Sequence, residues 1–374
     1  MKVIVAAAGT GGHINPAIAI ANKIKEKEPD SEIVFIGTPR GLENDLVPRA
    51  GYELKTIDVY GIKRKLDLDN IKRLYKTIKS IKDVEKIIKD FKPDVMIGTG
   101  GYICVSVGLA AHKKNIPIVL HESNAFPGVA VKLLAKESAR VLLGFEEAKE
   151  RIDKKAKIVV TGTPTKITNN RLTESEKAKI KSNLGLKENV PTVLVFGGSQ
   201  GAQTINKTII GIIENKLNKR YQILWAAGKK NYEDIKEALK AKGLNIDSLE
   251  NAKIMPYIYN MQEAMEISDL IVSRSGAMTI TEISQIGRPA IFIPFPFAAE
   301  NHQEYNAKVL KNVGAAEIIL DKDLNVEKLN KKIEEIVLDK NKVKEMGDNA
   351  KKISKNNVED KIFEEIKSAI NAWL

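Results

Sequence analysis

The sequence predicts an α/β protein made of two similar parallel-sheet domains facing each other across a cleft. Three observations carry that prediction. Short apolar runs alternate with helical stretches through both halves, the pattern of strands joined by crossover helices. Each half opens on the same unit of apolar strand, glycine turn and helix: Val3-Ile4-Val5-Ala6-Ala7 runs into Ala8-Gly9-Thr10-Gly11-Gly12-His13, and Pro191 to Phe196 runs into Gly197-Gly198-Ser199-Gln200-Gly201-Ala202. The chain has 374 residues, too many for one ordinary core.

Taken in order, the first strand ends at Ala7, and Pro16 is expected in the first turn of the helix that follows. Backbone N–H groups left open at such a helix start, with the positive end of the helix dipole, make an anion site. A histidine there, His13, tends to be neutral and able to accept a proton. The bland alternative is a glycine turn that only lets strand and helix pack closely. Further strands are expected at Ser31 to Gly37, Pro93 to Gly98, Ile116 to Glu122, Arg140 to Leu143 and Ile158 to Thr161. Loops that follow parallel strands share one crevice, which groups Thr10 to His13, Gly98 to Tyr102 and His121 to Asn124.

Between Lys63 and Lys92 the chain carries eleven Lys or Arg against five acids, with Ile71, Leu74, Ile78, Ile81, Val84 and Ile88 at helical spacing. This reads as an amphipathic basic helix. A solvated lysine face is the ordinary explanation, and attraction to anionic lipid headgroups is the functional one. Apolar insertion through Ile103, Val105 and Val107 is the other route to a membrane. The stretch from Gly162 to Asn189 is polar and turn-rich and reads as the connection between domains. Domain boundaries are placed at 1–163 and 164–354, with a C-terminal helix of about 355–374 packing back on the first domain. The alternation then restarts, with strands at Pro191 to Phe196, Gln222 to Ala226, Lys253 to Met255, Asp269 to Ser273 and Ala290 to Pro294. Lys/Glu-rich helices follow from about Asp321.

Composition narrows the function. A net charge of +12 admits nucleic acid, an anionic membrane or anionic small substrates as partners. Nucleic acid is the weakest of these, because aromatics are only 5% of residues and show no stacking pattern. The single cysteine, Cys104, excludes an intramolecular disulfide and a multi-cysteine metal cluster, and suits a reducing compartment. The N-terminal apolar run is too short for a signal peptide, and no run approaches the ~18 residues of a membrane span. A protein on the cytoplasmic side is expected.

The glycine loops fit no dinucleotide fingerprint. Counted from Gly9, the third glycine would fall at Ile14, and no acid follows the second strand at Gly37-Thr38. No phosphate-binding P-loop is present, since Gly228-Lys229-Lys230 lacks the hydroxyl that holds magnesium. Two D-x-D spacings, Asp67-Leu68-Asp69 and Asp321-Lys322-Asp323, lie among lysines and read as chance matches, so no metal is expected. What remains is a set of phosphate-friendly turns: Ser199 with its glycine neighbours, and the N–H groups of Ala277, Met278 and Thr279. Glu282, one turn on, suits the two hydroxyls of a ribose. Thr279 and Glu282 could instead form a capping pair.

At this point the residues resemble a family. Gly9-Thr10-Gly11-Gly12-His13, the Gly98-to-Tyr102 loop, His121-Glu122-Ser123-Asn124, Gly197 to Ala202, Ser273 to Thr279 and Glu300-Asn301-His302-Gln303 are similar, in order, to the peptidoglycan N-acetylglucosaminyltransferases of the MurG family. These are two-domain GT-B enzymes with Rossmann-like halves, of glycosyltransferase family 28. The resemblance implies UDP-N-acetylglucosamine (UDP-GlcNAc) as donor and an undecaprenyl-diphosphate-linked N-acetylmuramyl-pentapeptide as acceptor. The bond formed would be β-1,4, with inversion, without cofactor or metal, at the cytoplasmic face of an anionic membrane. It implies donor contacts from Ser199, Ile258 (uracil), Ala277, Met278, Thr279, Glu282 (ribose) and Gln303 (sugar), with Thr10, Gly11, Gly12 and Asn124 closing from the N-terminal side. Gly100, Gly101 and Tyr102 would meet the acceptor.

Two features depart from the family pattern. Lys166 stands where an arginine usually follows Gly-x-Pro-x, keeping the charge without the bidentate fork. The run after Tyr102 is also less rich in Gly and Pro. His13 is the candidate general base. In the alternative it binds the acceptor diphosphate and Glu122 takes the proton. Rival readings are a UDP-GlcNAc epimerase, a transferase to a diacylglycerol or sterol, and a non-catalytic nucleotide-sugar binder.

Overall fold

A computed structural model describes residues 1–59, 69–198 and 202–373, with the backbone alone for 69–78. The chain divides into two compact units, Met1–Lys166 with Lys355–Leu374, and Ile167–Ser354.

The first unit runs β1 (Lys2–Ala7), α1 (Gly11–Lys27), β2 (Glu32–Gly37), α2 (Glu43–Arg49), β3 (Glu53–Thr56), α3 (Asp69–Phe91), β4 (Val95–Gly100), α4 (Ile103–Lys113), β5 (Ile118–Glu122), α5 (Val129–Leu134), β6 (Arg140–Leu143) and β7 (Ile158–Val160). The second runs α6 (Glu174–Asn183), β8 (Thr192–Phe196), α7 (Gln203–Glu214), β9 (Gln222–Ala226), α8 (Tyr232–Ala241), β10 (Ala252–Met255), α9 (Met261–Glu266), β11 (Leu270–Ser273), α10 (Ala277–Ile286), β12 (Ala290–Phe292), α11 (His302–Asn312), β13 (Ala316–Ile318), α12 (Val326–Val337) and α13 (Lys340–Lys352). The last helix, α14 (Val358–Asn371), returns to the first unit.

Both sheets are parallel throughout, in the orders β3-β2-β1-β4-β5-β6-β7 and β10-β9-β8-β11-β12-β13. A parallel strand covered on both faces is apolar throughout, and β1 shows why its sequence does not alternate. Ile4 and Ala6 pack on one side with Val84, Ile103 and Val107, while Val3, Val5 and Ala7 pack on the other with Ile14, Ile20, Ile362 and Ile366. Helix α14 thus completes the cover over α1. Arg140 in β6 fixes it by donating to Glu365 at 3.0 Å and to the Ser368 hydroxyl at 2.9 Å.

Sequence and structure differ at several elements. Helix α1 begins at Gly11, so His13 lies in its first turn and Pro16 in its second. The polar connection holds a helix, α6, closed at its start by Thr173 and Glu176, each side chain bonding the other's backbone N–H. Ile103 and Val107 are fully buried in the core beneath α4, which rules them out as membrane-inserting residues. Of the basic segment, 63–68 lies outside the described residues. Beyond Lys79 the helix buries Val84 and Ile88 and exposes Lys82, Lys86 and Lys89.

Candidate active site

In the first sheet the strand order reverses between β1 and β4, and in the second between β8 and β11. Loops at such a reversal part to opposite faces and leave a crevice beyond the strand ends. All four of those strands lead into glycine turns that the sequence singles out.

At the first reversal the ladder slips. Ala6 pairs with Gly98 and Ala7 with Gly100, so Thr99 is an extra residue. A slip of this kind re-aims the displaced residue, and Thr99 turns to His13. Its hydroxyl donates to the His13 carbonyl at 2.8 Å, and His13 Nδ1 lies 3.2 Å from the Thr99 carbonyl oxygen. A carbonyl only accepts, so Nδ1 carries a hydrogen, and in the neutral ring Nε2 holds the lone pair. The head of α1 is open. Thr10 is its N-cap and makes no side-chain cap, while His13 and Ile14 donate to the Thr10 carbonyl at 3.0 and 3.2 Å. The N–H groups of Gly11 and Gly12 are the donors that such an end offers to an anion.

Gly100 and Gly101 have φ of +128° and +87°. A Cβ on Gly100 would collide with the His13 ring, and one on Gly101 would sit 2.8 Å from the Ala8 carbonyl oxygen. Two glycines in sequence therefore let this turn lie against the His13 turn. The Cys104 thiol stands beneath, 3.1 Å from the Gly100 carbonyl and 3.2 Å from that of Ala6. Burial pushes it up to about 12, so it stays a protonated donor. Tyr102, next in the turn, is 57% exposed.

Glu122 ends β5 and is buried. Its Oε1 accepts from the Asn124 backbone at 2.9 Å and the Asn124 side chain at 3.0 Å, and its Oε2 accepts from Gly128 N at 2.7 Å. Burial raises its pKa, and those bonds oppose the rise. The carboxylate is thereby occupied in shaping the Asn124 turn. Lys166, exposed, is the last residue of the first unit before the chain passes to the second.

In the second unit α10 starts at Ala277 behind Gly276, with no side-chain cap, so the N–H groups of Ala277, Met278 and Thr279 open onto the turn. Thr279 is the third helical residue rather than the N-cap, which removes the capping-pair reading for Thr279 and Glu282. Glu282 is half-buried one turn further along. Gln303, in the first turn of α11, accepts from Phe295 N at 2.9 Å through its side-chain oxygen and from the Ser275 hydroxyl at 2.7 Å through its carbonyl. Its amide nitrogen is the end that can donate to a ligand. Ile258 is buried in the turn between β10 and α9, flanked by the exposed rings of Tyr257 and Tyr259, which meet edge to face at 4.9 Å. Ser199 lies outside the described residues.

Three residues that sequence reasoning did not assign hold these turns. Buried Arg274 donates to Asp321 and to the carbonyls of Ile293 and Pro294, and Asp321 also accepts from the Thr204 hydroxyl at 2.9 Å. The turn after β11, the end of β12 and the head of α7 are thus tied together. Asp321 of the second D-x-D spacing is engaged there; Asp67 lies outside the described residues, as does the Asp69 side chain. Thr99, the third such residue, gives no sequence signal, because its role comes from a register slip. An arginine closing an apolar strand, as Arg274 does, is a readable sign of a buried cation with an acid partner.

The glycosyltransferase family 28 N-terminal domain matches residues 3–143 and the family's C-terminal domain residues 192–362. The UDP-N-acetylglucosamine–N-acetylmuramyl-(pentapeptide) pyrophosphoryl-undecaprenol N-acetylglucosamine transferase of Thermoanaerobacter sp. (strain X514) is 46% identical, over 98% of this chain and 100% of its own length. The transferase of the same name from Clostridioides difficile (strain 630) is 40% identical, over 100% of this chain and 90% of its own. Among solved structures, MurG of Acinetobacter baumannii superposes with a TM-score of 0.80 at 27% identity, covering 98% of this chain and 99% of that one. A putative UDP-N-acetylglucosamine 2-epimerase of Listeria monocytogenes has the same fold, with a TM-score of 0.69 at 16% identity, over 100% and 97% of the two chains.

Proposed function

The chain belongs to glycosyltransferase family 28, and on that premise we propose that it moves N-acetylglucosamine from UDP-GlcNAc to an undecaprenyl-diphosphate-linked N-acetylmuramyl-pentapeptide, a step of peptidoglycan synthesis. The observation that carries this reading is likeness along the whole chain to transferases of that name. The epimerase likeness, at 16% identity, is one of fold alone.

The second unit holds the donor. The open N–H groups of Ala277, Met278 and Thr279 take the diphosphate with Ser199, Ile258 lies at the uracil, Glu282 binds the ribose hydroxyls and Gln303 the sugar. The first unit holds the acceptor at Gly100, Gly101 and Tyr102, with Thr10, Gly11, Gly12 and Asn124 toward the transferred sugar and Lys166 as a further positive charge for phosphate. The acceptor's 4-hydroxyl oxygen attacks the anomeric carbon and gives its proton to His13 Nε2. The bond from that carbon to the β-phosphate oxygen breaks, and UDP leaves with the electron pair. Backbone donors aimed at the leaving diphosphate stabilise its growing charge. The tautomer set by Thr99 supports His13 as base, and the hydrogen bonds around Glu122 support a shaping role for that carboxylate.

The protein works as a peripheral protein on the cytoplasmic face of the membrane. Among the described residues no helix is long and apolar enough to cross one. Leu109, Val129 and Leu133 on α4 and α5 are exposed, Leu133 to 62%, beside Lys113, Lys132 and Lys136. With the exposed Lys79, Lys82, Lys86 and Lys89 of α3 they supply the surface for anionic lipid.

The test is a panel of donors and acceptors. UDP-GlcNAc should raise the Tm more than UDP-glucose or NAD does, and UDP should form only when the lipid-linked muramyl-pentapeptide is present. Epimerised UDP-sugar without acceptor, or transfer to a diacylglycerol instead, would overturn the reading.

A further inference from the structure

Behind the His13 turn, on the side away from Thr99, lies a buried carboxylate that forms no ion pair among the described residues. Glu43, the first residue of α2, is 0% exposed. Its Oε2 accepts from Gly9 N at 3.0 Å, and its Oε1 accepts from Thr38 N at 2.9 Å and the Thr38 hydroxyl at 2.7 Å. Room has been cleared for it: a Cβ on Gly37 would come within 2.7 Å of its Cγ, and one on Gly41 would overlap its oxygens. Burial pushes its pKa up, but the bonds from Gly9 and Thr38 outweigh that and leave it below the usual carboxylate value.

A full negative charge under a turn that binds anions weakens the turn's attraction for them. Its retention needs a reason, and the donor arrangement supplies one. Donors meet both oxygens, so only a carboxylate satisfies all of them; an amide would set its own N–H₂ against Gly9 or Thr38. Gly9, at φ +94°, precedes the open head of α1. We propose that Glu43 is a positioning residue for transfer: by taking the Gly9 N–H it fixes the Gly9–Gly12 turn from behind, as Thr99 fixes it from β4, and so sets the direction of the His13 imidazole. This rests on the reading of His13 as the base.

The test compares Glu43→Gln with Thr38→Val in the full chain. Glu43→Gln is expected to lower kcat about tenfold to a hundredfold, the effect of a misplacement near 1 Å, with the donor KM within twofold. Thr38→Val removes one bond from the same carboxylate without touching Gly9. It should lower the Tm while keeping kcat within threefold. Ring-proton resonances of His13, identified by their loss in His13→Ala, should shift in Glu43→Gln and stay in place in Thr38→Val. The proposal is overturned if Glu43→Gln keeps both kcat and the His13 resonances, or if Thr38→Val changes them as much. If Glu43→Gln does not fold, Glu43→Asp carries the test, with the charge kept and the reach to Gly9 shortened; unchanged kcat and resonances there overturn it. A wild-type chain without transferase activity refutes the functional reading, and the His13 resonances still decide the role of Glu43.

Discussion

His13 and Thr99 hold each other twice: the Thr99 hydroxyl donates to the His13 carbonyl at 2.8 Å, and His13 Nδ1 lies 3.2 Å from the Thr99 carbonyl. One contact fixes where the residue sits and the other fixes which ring nitrogen holds the proton. Two residues 86 positions apart in sequence therefore set which tautomer the neutral imidazole adopts. The device depends on the one-residue slip that frees Thr99 from the ladder between β1 and β4.

Replacing His13 by Ala should slow single-turnover transfer by about 10²–10⁴, the range for a lost general base, with UDP-GlcNAc binding unchanged. Glu122→Gln should raise the donor KM instead, because the Asn124 turn loses a matched acceptor, and should leave the acid limb of the pH–rate profile in place. A loss below about tenfold in His13→Ala would remove His13 from the chemistry. Disappearance of the acid limb in Glu122→Gln would transfer the role to that carboxylate.

Gly100→Ala tests the packing of the two turns. A methyl group there meets the imidazole at a φ of +128°, so the ring must move or the β4 turn must reopen. The expected outcome is a stability loss of about 1–3 kcal/mol from the strained backbone, together with a fall in kcat larger than that in UDP affinity. Calorimetry and steady-state kinetics on one preparation separate the two effects, and an unchanged kcat would show that the imidazole tolerates displacement.

The central strands and the glycine turns were legible because a strand buried on both faces has to be apolar, and a turn at a helix start has to be small. Two of the four edge strands were not. Glu53–Thr56 (β3) and Ala316–Ile318 (β13) are short and partly polar, since an edge strand has one neighbour and a solvated flank. Helix α6 carried its own signal in Thr173-x-x-Glu176, hidden by the polarity of the surrounding segment. Thr99 could not be read at all, because a register slip is a property of two strands. Arg274 and Asp321 are 47 residues apart, and only the sheet brings them together. At the candidate site, the sequence marked the glycine turns but not the residues that hold them.

The Arg274–Asp321 pair gives a stability prediction. Both side chains are largely buried, so removing one leaves a charge with too few partners. Asp321→Ala should cost the second unit about 3–5 kcal/mol, whereas the double variant with Arg274→Met should recover part of the loss. In a Trp373→Phe background, Trp225 is the remaining tryptophan and lies in the core of that unit, so its fluorescence in urea follows that unit alone. Costs that simply add would show the two side chains to be independent.

His121 sets an acid limit on the first unit. Its Nε2 lies 3.0 Å from the Gly162 carbonyl, so that nitrogen carries the hydrogen. Burial holds the imidazole down at about 4, against 6.5 for an exposed histidine. The unfolded chain therefore takes up this proton first as the pH falls. Below about 6.5 the unfolded state binds more protons than the folded one, and stability declines by up to ~1.4 kcal/mol per pH unit until the folded group titrates near 4. The full loss is about 3 kcal/mol. Glu122 beside it works in the opposite sense: its raised pKa lets the folded state take a proton that the unfolded state still refuses, which adds stability as the pH falls. The difference between wild type and His121→Gln isolates the histidine, since Gln can still donate to Gly162 and does not titrate. Between pH 7 and 4.5 the variant should lose about 2–3 kcal/mol less than wild type in urea titrations. Parallel pH profiles for the two proteins would mean that His121 is protonated in the fold as readily as outside it.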